Sequence, residues 1–182
     1  MIKQEELIER CKRRDPAAYT SLYNQHAKEV YNTILRLVGH TAQAEDILQE
    51  SFVAAFERID SFADTGGFRA WIKRIAINKS VDWLRKKKIK WVELEPDWTG
   101  EEEEEMVDEA VFGFTIDAVM GAINALPEGP RTVFNLFVME NMPQAEIATM
   151  LGLGYSAVRT QYHRAKNKIL TTLREEGYEY ER

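Results

Sequence analysis

Arg159, Thr160, His163, Arg164 and Asn167 recur at helical spacing, and their side chains are of the kinds that hydrogen-bond base edges and phosphate oxygens. Lys166 and Lys168 add charge to the same stretch; residues 154–174 hold five basic side chains and no acidic one. Interleaved with them, Val158, Tyr162, Ala165, Ile169 and Leu173 repeat at the period of a buried helical stripe. This pattern predicts that Thr160, His163 and Asn167 point away from the core, flanked by Arg159 and Arg164. Upstream, Gln144 to Met150 reads as a short helix, and Leu151-Gly152-Leu153 as a turn containing glycine, the layout of a helix-turn-helix. A major groove about 12 Å wide accepts one such basic helix. A helical hairpin with no nucleic-acid role is the competing reading.

A second basic segment runs FRAWIKRIAINKSVDWLRKKKIKW from Phe68 to Trp91, with nine Lys and Arg. Phe68, Trp71, Ile72 and Ile75 form one apolar stripe, and Ile77, Val81 and Leu84 are expected roughly on the other side. A helix apolar on two sides and basic between them suits stacking of unpaired bases with cations along the phosphates. Equally, the aromatics can all be core and the basic run a solvated helix end. A third segment has the opposite sign. Ala44, Leu48, Phe52, Ala55 and Ile59 make a core stripe, and the reverse face carries Asp46, Glu50, Val53 and Glu57 with Gln49 beside it. That face can dock a basic partner surface or simply be solvated.

The elements that must position these groups read as helices throughout. Asp15-Pro16 opens one as N-cap and first residue, ending at Gly39. Thr41 is expected to cap the next, through about Ile59, and a third covers about Gly67 to Lys88. Further helices are predicted near 115–126, 129–140, 144–151 and 155–175, with breaks at Gly129-Pro130 and at Asn141-Met142-Pro143. The fold class is therefore all-α.

The chain has 182 residues, 24 Lys and Arg, 30 Asp and Glu, and a formal net charge of −6. That acidic total looks unfavourable for nucleic acid, but it is unevenly distributed. Residues 1–91 carry net +5, residues 92–113 carry ten acidic and no basic side chains, and residues 114–182 carry net −1. The middle block, with Pro96, Gly100 and Glu101 to Glu105, repels itself and buries little, so it reads as an acidic flexible linker between two small helical domains. No apolar run is long enough to predict a membrane span, and the charged start suggests no signal peptide, so a cytoplasmic location is expected. Cys11 alone forms no internal disulfide and reads as a small core residue. His26, His40 and His163 have no ligand spacing. Gly152 to Ala157 matches the letters of a dinucleotide fingerprint but follows a helix, not a strand. No catalytic constellation, metal site or cofactor is expected.

Three stretches in order resemble the bacterial extracytoplasmic-function (ECF) sigma factors of RNA polymerase. They are AEDILQESF at 44–52; Phe62 followed by FRAWI at 68–72, RIA at 74–76, Asn78 and DWLR at 82–85; and LPE at 126–128 with Arg131, EIA at 146–148, Leu151-Gly152, Val158 and Arg164-Ala165. The resemblance covers nearly the whole chain outside the linker. One departure is Gly154, where the family often has a small capping Ser before the recognition helix. The resemblance implies a polymerase- and −10-binding domain over 1–91, a linker over 92–113 and a −35-binding helix-turn-helix domain over 114–182. It implies that Asp46, Gln49, Glu50 and Val53 contact core polymerase. It further implies that Ser61, Phe62, Asn78, Lys79, Asp82, Arg85 and Lys86 engage the −10 element, with Phe62 and Asn78 holding an unstacked base. The resemblance likewise implies that Arg159, Thr160, His163, Arg164 and Lys168 face the −35 element, with Arg131 on phosphate. The implied partners are core RNA polymerase, promoter DNA and, as in many relatives, an anti-sigma factor. A stand-alone helix-turn-helix regulator and a sigma-mimicking decoy for an anti-sigma factor are the alternatives.

Overall fold

The computed structural model describes residues 4–63, 67–87 and 115–175, and every regular element among them is helical. The chain divides into two compact units, Met1–Lys87 and Lys88–Arg182. The acidic stretch 92–113 and three residues of the Ser61-to-Gly67 loop lie outside the described residues.

The first unit contains α1 (Gln4–Lys12), α2 (Pro16–Val38), α3 (Thr41–Glu57), a single 3₁₀ turn (Ile59–Ser61) and α4 (Gly67–Lys86). Helix α1 is not among the expected helices; Leu7, Ile8 and Cys11 anchor it in the core. The start of α2 is as expected: the Asp15 carboxylate accepts the Ala17 N–H at 2.9 Å, and Pro16 occupies the first turn, where no N–H is needed. Gly39 ends α2 with φ 69°, a left-handed cap that glycine adopts without Cβ strain, and its N–H reaches the Leu35 carbonyl at 2.8 Å. The expected Thr41 cap is not formed. The left-handed turn at Gly39 leaves only His40 extended, so Thr41 is already helical and α3 starts without a side-chain cap. The same helix stops at Glu57, and Ile59 belongs to the 3₁₀ turn.

Helix α2 packs against both α3 and α4, α3 packs against α4, and α1 packs on α2. The predicted α3 stripe of Ala44, Leu48, Phe52 and Ala55 is buried, continued by Ile59. The two-sided reading of α4 is wrong. Ile77, Val81 and Leu84 are buried, as are Phe68 and Ile72, because α4 meets two neighbours and its inward arc drifts along the helix. Trp71 and Ile75 sit half-buried at the border of that arc. Aromatic rings fill the centre: Phe68 lies 5.8 Å from Trp71, 6.1 Å from Phe62 and 5.4 Å from the His26 ring, edge-on or tilted in each case. Edge-to-face pairs of this kind add about 0.5–1.5 kcal/mol beyond the area they bury.

The second unit contains α5 (Ile116–Asn124), α6 (Glu128–Phe134), α7 (Gln144–Leu151) and α8 (Tyr155–Glu175). Thr115 caps α5, its hydroxyl accepting the Ala118 N–H at 3.3 Å. Gly129-Pro130, expected as a break, lies inside the first turn of α6. The break falls at Pro127 instead, because a proline in the first turn has no N–H to leave unpaired. Helix α6 runs on into a π-helical turn, Asn135–Met139, before Asn141 reverses the chain with φ 52°. Helix α8 is the spine, packing on α5, α6 and α7. Its Ala165, Ile169 and Leu173 meet Ala122, Ile123 and Leu126, with Phe134 packed alongside.

Candidate nucleic-acid and docking interfaces

In the second unit the turn between α7 and α8 is built on Gly152, whose φ of 68° is the left-handed region that disfavours a Cβ. The Leu153 N–H returns to the Ala148 carbonyl at 3.0 Å, satisfying one of the carbonyls at the end of α7. Gly154 precedes α8, its carbonyl accepting the Val158 N–H at 3.1 Å, so Tyr155 is the first helical residue. The predicted stripe of Val158, Tyr162, Ala165, Ile169 and Leu173 is buried. Burial raises the Tyr162 phenol above its ordinary pKa, and its ring stacks at 6.2 Å on Phe134 and edge-on at 4.8 Å on Phe137.

On the other side of α8, Arg159, His163 and Arg164 are half-buried and Asn167 and Lys168 are exposed. Thr160 is not on that surface. It is only 4% exposed, and its hydroxyl donates to the Ser156 carbonyl at 3.0 Å, so its one hydrogen is spent on its own helix. With three helices against it, α8 buries a wider arc than one stripe, and Gln161 is buried too. Tyr155, 48% exposed and one turn before Arg159, is an addition to this face. The signal for it was an aromatic residue at the start of a basic helix. Arg131 points elsewhere in part: its guanidinium donates to the Asn124 carbonyl at 3.3 Å, at the end of α5 where carbonyls favour a cation.

In the first unit Asp46, Gln49 and Glu50 are exposed on α3, with Val53, 56% exposed, among them. An apolar side chain inside a polar acidic face offers a partner both charge complementarity and area to bury. On α4, Asn78, Asp82, Arg85 and Lys86 are exposed, Arg85 standing 3.9 Å from Asp82, and Lys87 lies 5.2 Å over the Trp83 ring. Lys79 is partly covered, its ammonium 3.3 Å from the Glu50 carboxylate. Two basic residues of α4 serve structure. Arg69 grips Glu29 through three hydrogen bonds of 2.9, 2.7 and 2.6 Å, with Lys73 at 3.6 Å. The Arg69 bond is the main cause holding the Glu29 carboxyl below its usual pKa.

Ser61 is exposed, its hydroxyl donating to the Arg58 carbonyl at 2.7 Å. Phe62 does not offer a surface for a base. It is 9% exposed, with its ring 5.1 Å from Trp71 and against Phe68, because an aromatic beside this cluster gains more from the core than from water. The structure thus gathers Asn78, Asp82, Arg85 and Lys86 on α4, and leaves Phe62 as packing.

The family model Sigma-70 region 2 matches residues 22–89, and Sigma-70, region 4 matches residues 116–169. The chain is 31% identical to the ECF RNA polymerase sigma factor SigW of Bacillus subtilis, over 96% of this chain and 98% of that one. It is 30% identical to the ECF RNA polymerase sigma factor SigL of Mycobacterium tuberculosis, over 90% and 93% of the two chains. Among solved structures it shares a fold with CnrH, solved in complex with the cytosolic domain of CnrY, at a TM-score of 0.51 and 23% identity, covering 94% of this chain and 97% of that one. RpoE of Bartonella quintana, solved with the anti-sigma factor NepR, matches at a TM-score of 0.51 and 18% identity, over 86% and 96%.

Proposed function

The chain belongs to the ECF sigma factors, the promoter-specificity subunits that bind core RNA polymerase and direct initiation, and we propose how its residues divide that work. It recognises and melts promoter DNA. The domains are residues 1–91 and 114–182, with residues 92–113 as the tether between them. The exposed face of Asp46, Gln49, Glu50 and Val53 docks on core polymerase. Asn78, Lys79, Asp82, Arg85 and Lys86, with Ser61 at the edge, engage the −10 element. Arg159, His163, Arg164 and Lys168 face the −35 groove, and the donors of Arg131 not spent on Asn124 reach a phosphate.

The observation that carries this reading is the pairing of opposite faces. An acidic face with an exposed valine and a basic helix share the first unit, and a basic recognition helix stands in the second. Neither face alone separates a sigma factor from a DNA-binding regulator; together they need both a basic protein surface and DNA. No helix among the described residues is long and apolar enough to cross a membrane, which fits work beside polymerase in the cytoplasm. An anti-sigma factor is the natural regulator. The protein acts by recognition, without catalysis of its own. The acidic tether occupies cationic nucleic-acid channels of the polymerase.

Run-off transcription with purified core polymerase tests the whole reading. A promoter-specific transcript that depends on this protein is the expected result. DNA binding without a transcript identifies a stand-alone regulator, and loss of both identifies a decoy.

A further inference from the structure

The contact between Glu50 and Lys79 joins the two working surfaces of the first unit. Glu50 lies on the α3 face read as the docking site, Lys79 on the α4 helix read as the −10 site, and the two heads meet at 3.3 Å. Neither is deeply buried: the side chains are 64% and 32% exposed, so both heads can be reached by a partner. Each reading above needs its own charge uncommitted. A polymerase cation that takes the Glu50 carboxylate must compete with Lys79, and a phosphate that takes Lys79 must compete with Glu50.

We propose that the Glu50–Lys79 ion pair is a masking contact that couples polymerase docking to −10 binding: each partner, in breaking the pair, lowers the cost for the other. The inference rests on the assignment of the two faces above and adds their regulation. By linkage the effect is reciprocal: whatever docking gains for DNA, DNA gains for docking. Its size is set by the pair. Exposed ion pairs are worth about 0.2–1 kcal/mol, so the coupling is at most about fivefold in either affinity, at 1.4 kcal/mol per tenfold. Screening weakens it as salt rises. Three other ion pairs of α4 lack this placement. Arg69 and Lys73 meet Glu29 on α2, and Arg85 meets Asp82 on its own helix.

The test is a double-mutant cycle on the affinity of the full chain for core polymerase, with wild type, Glu50→Gln, Lys79→Gln and the double variant at low and high salt. The expected result is that Lys79→Gln tightens binding by up to about fivefold in the wild-type background and by clearly less in the Glu50→Gln background, the difference shrinking at high salt. Equal effects of Lys79→Gln in both backgrounds overturn the masking contact. If Glu50→Gln alone leaves polymerase affinity unchanged, it is the docking assignment that fails, and the two failures are therefore distinct. Matching thermal midpoints for all four chains confirm that the readout is binding rather than folding.

Discussion

Replacing Arg164 by Ala tests whether α8 reads sequence or only charge. Arg164 is half-buried on the face away from the Val158–Ala165 stripe, where a long basic side chain can pack its stem and still present its head to a partner. A bidentate contact to a guanine edge is worth about 1–3 kcal/mol, which is roughly a 5- to 150-fold loss of affinity confined to one base pair. A phosphate contact gives a different signature: a loss similar across sequences, with the slope of log affinity against log salt reduced by about 0.9. The assay is binding of polymerase carrying this subunit to −35 duplexes substituted one base pair at a time, at several salt concentrations, paired with run-off transcription. Thr160→Ser is the internal control: it keeps the hydroxyl that bonds Ser156, so binding should stay within about twofold. The assignment of α8 is refuted if Arg164→Ala alters neither base preference nor salt slope, or if Thr160→Ser shifts base preference as strongly as Arg164→Ala does.

Asp46→Arg, which reverses a charge on the exposed α3 face, should abolish co-purification with core polymerase while the circular-dichroism spectrum is unchanged; retained binding means that the face is only solvated. Phe68→Ala removes a ring that is fully buried and should cost the first unit about 3–5 kcal/mol in urea denaturation. Cys11 is fully buried, and burial pushes its thiol up to about 11, so at pH 8 it should react with a disulfide reagent only after denaturant is added. His26 is buried beside Phe68, and burial depresses its pKa below the ordinary 6.5. The unfolded chain therefore binds the proton first, and stability should fall as pH drops below about 6.5, by at most about 1.4 kcal/mol per pH unit. Equilibrium unfolding at pH 7.5, 6.5 and 5.5 measures this, and a His26→Gln chain should lose that part of the slope.

Apart from α1, which was not expected, the helices were legible because they rest on local chemistry. Asp15-Pro16 and Gly39 bracket α2 where the cap bonds require them, and the α3 stripe repeats at the helical period. What was not legible depended on neighbours brought in by the fold. Ile77, Val81 and Leu84 look like a second face until α2 and α3 are both seen against α4. Thr160 sits among polar and basic residues in the helical projection, yet three helices surround α8 and its hydroxyl turns back to Ser156. Phe62 offered a ring of the right type for a base, and only the positions of Phe68 and Trp71 claim it for the core. The exposed acidic face of α3 was readable for the opposite reason: the residues that bury define the ones that cannot, and Asp46, Gln49, Glu50 and Val53 fall on the complement.

The charge of this protein has to be read at the length over which charges act. At physiological salt that length is about 8 Å, far shorter than a chain of this size. A net charge of −6 is therefore not what a phosphate meets at α4 or α8. There the local surroundings are Arg85, Lys86 and Lys87 beside Asp82 in one unit and Arg159, Arg164, Lys166 and Lys168 in the other, while ten of the acidic residues are confined to 92–113. The same length scale works against independence inside the first unit. Glu50 and Lys79, at 3.3 Å, lie well within it, so the proposed docking face and the proposed −10 face cannot be titrated separately by salt. A salt slope measured for −10 binding by the free chain will include the breaking of that pair, and one measured on the polymerase-bound chain will not. Breaking of that pair therefore contributes to the difference between the two slopes.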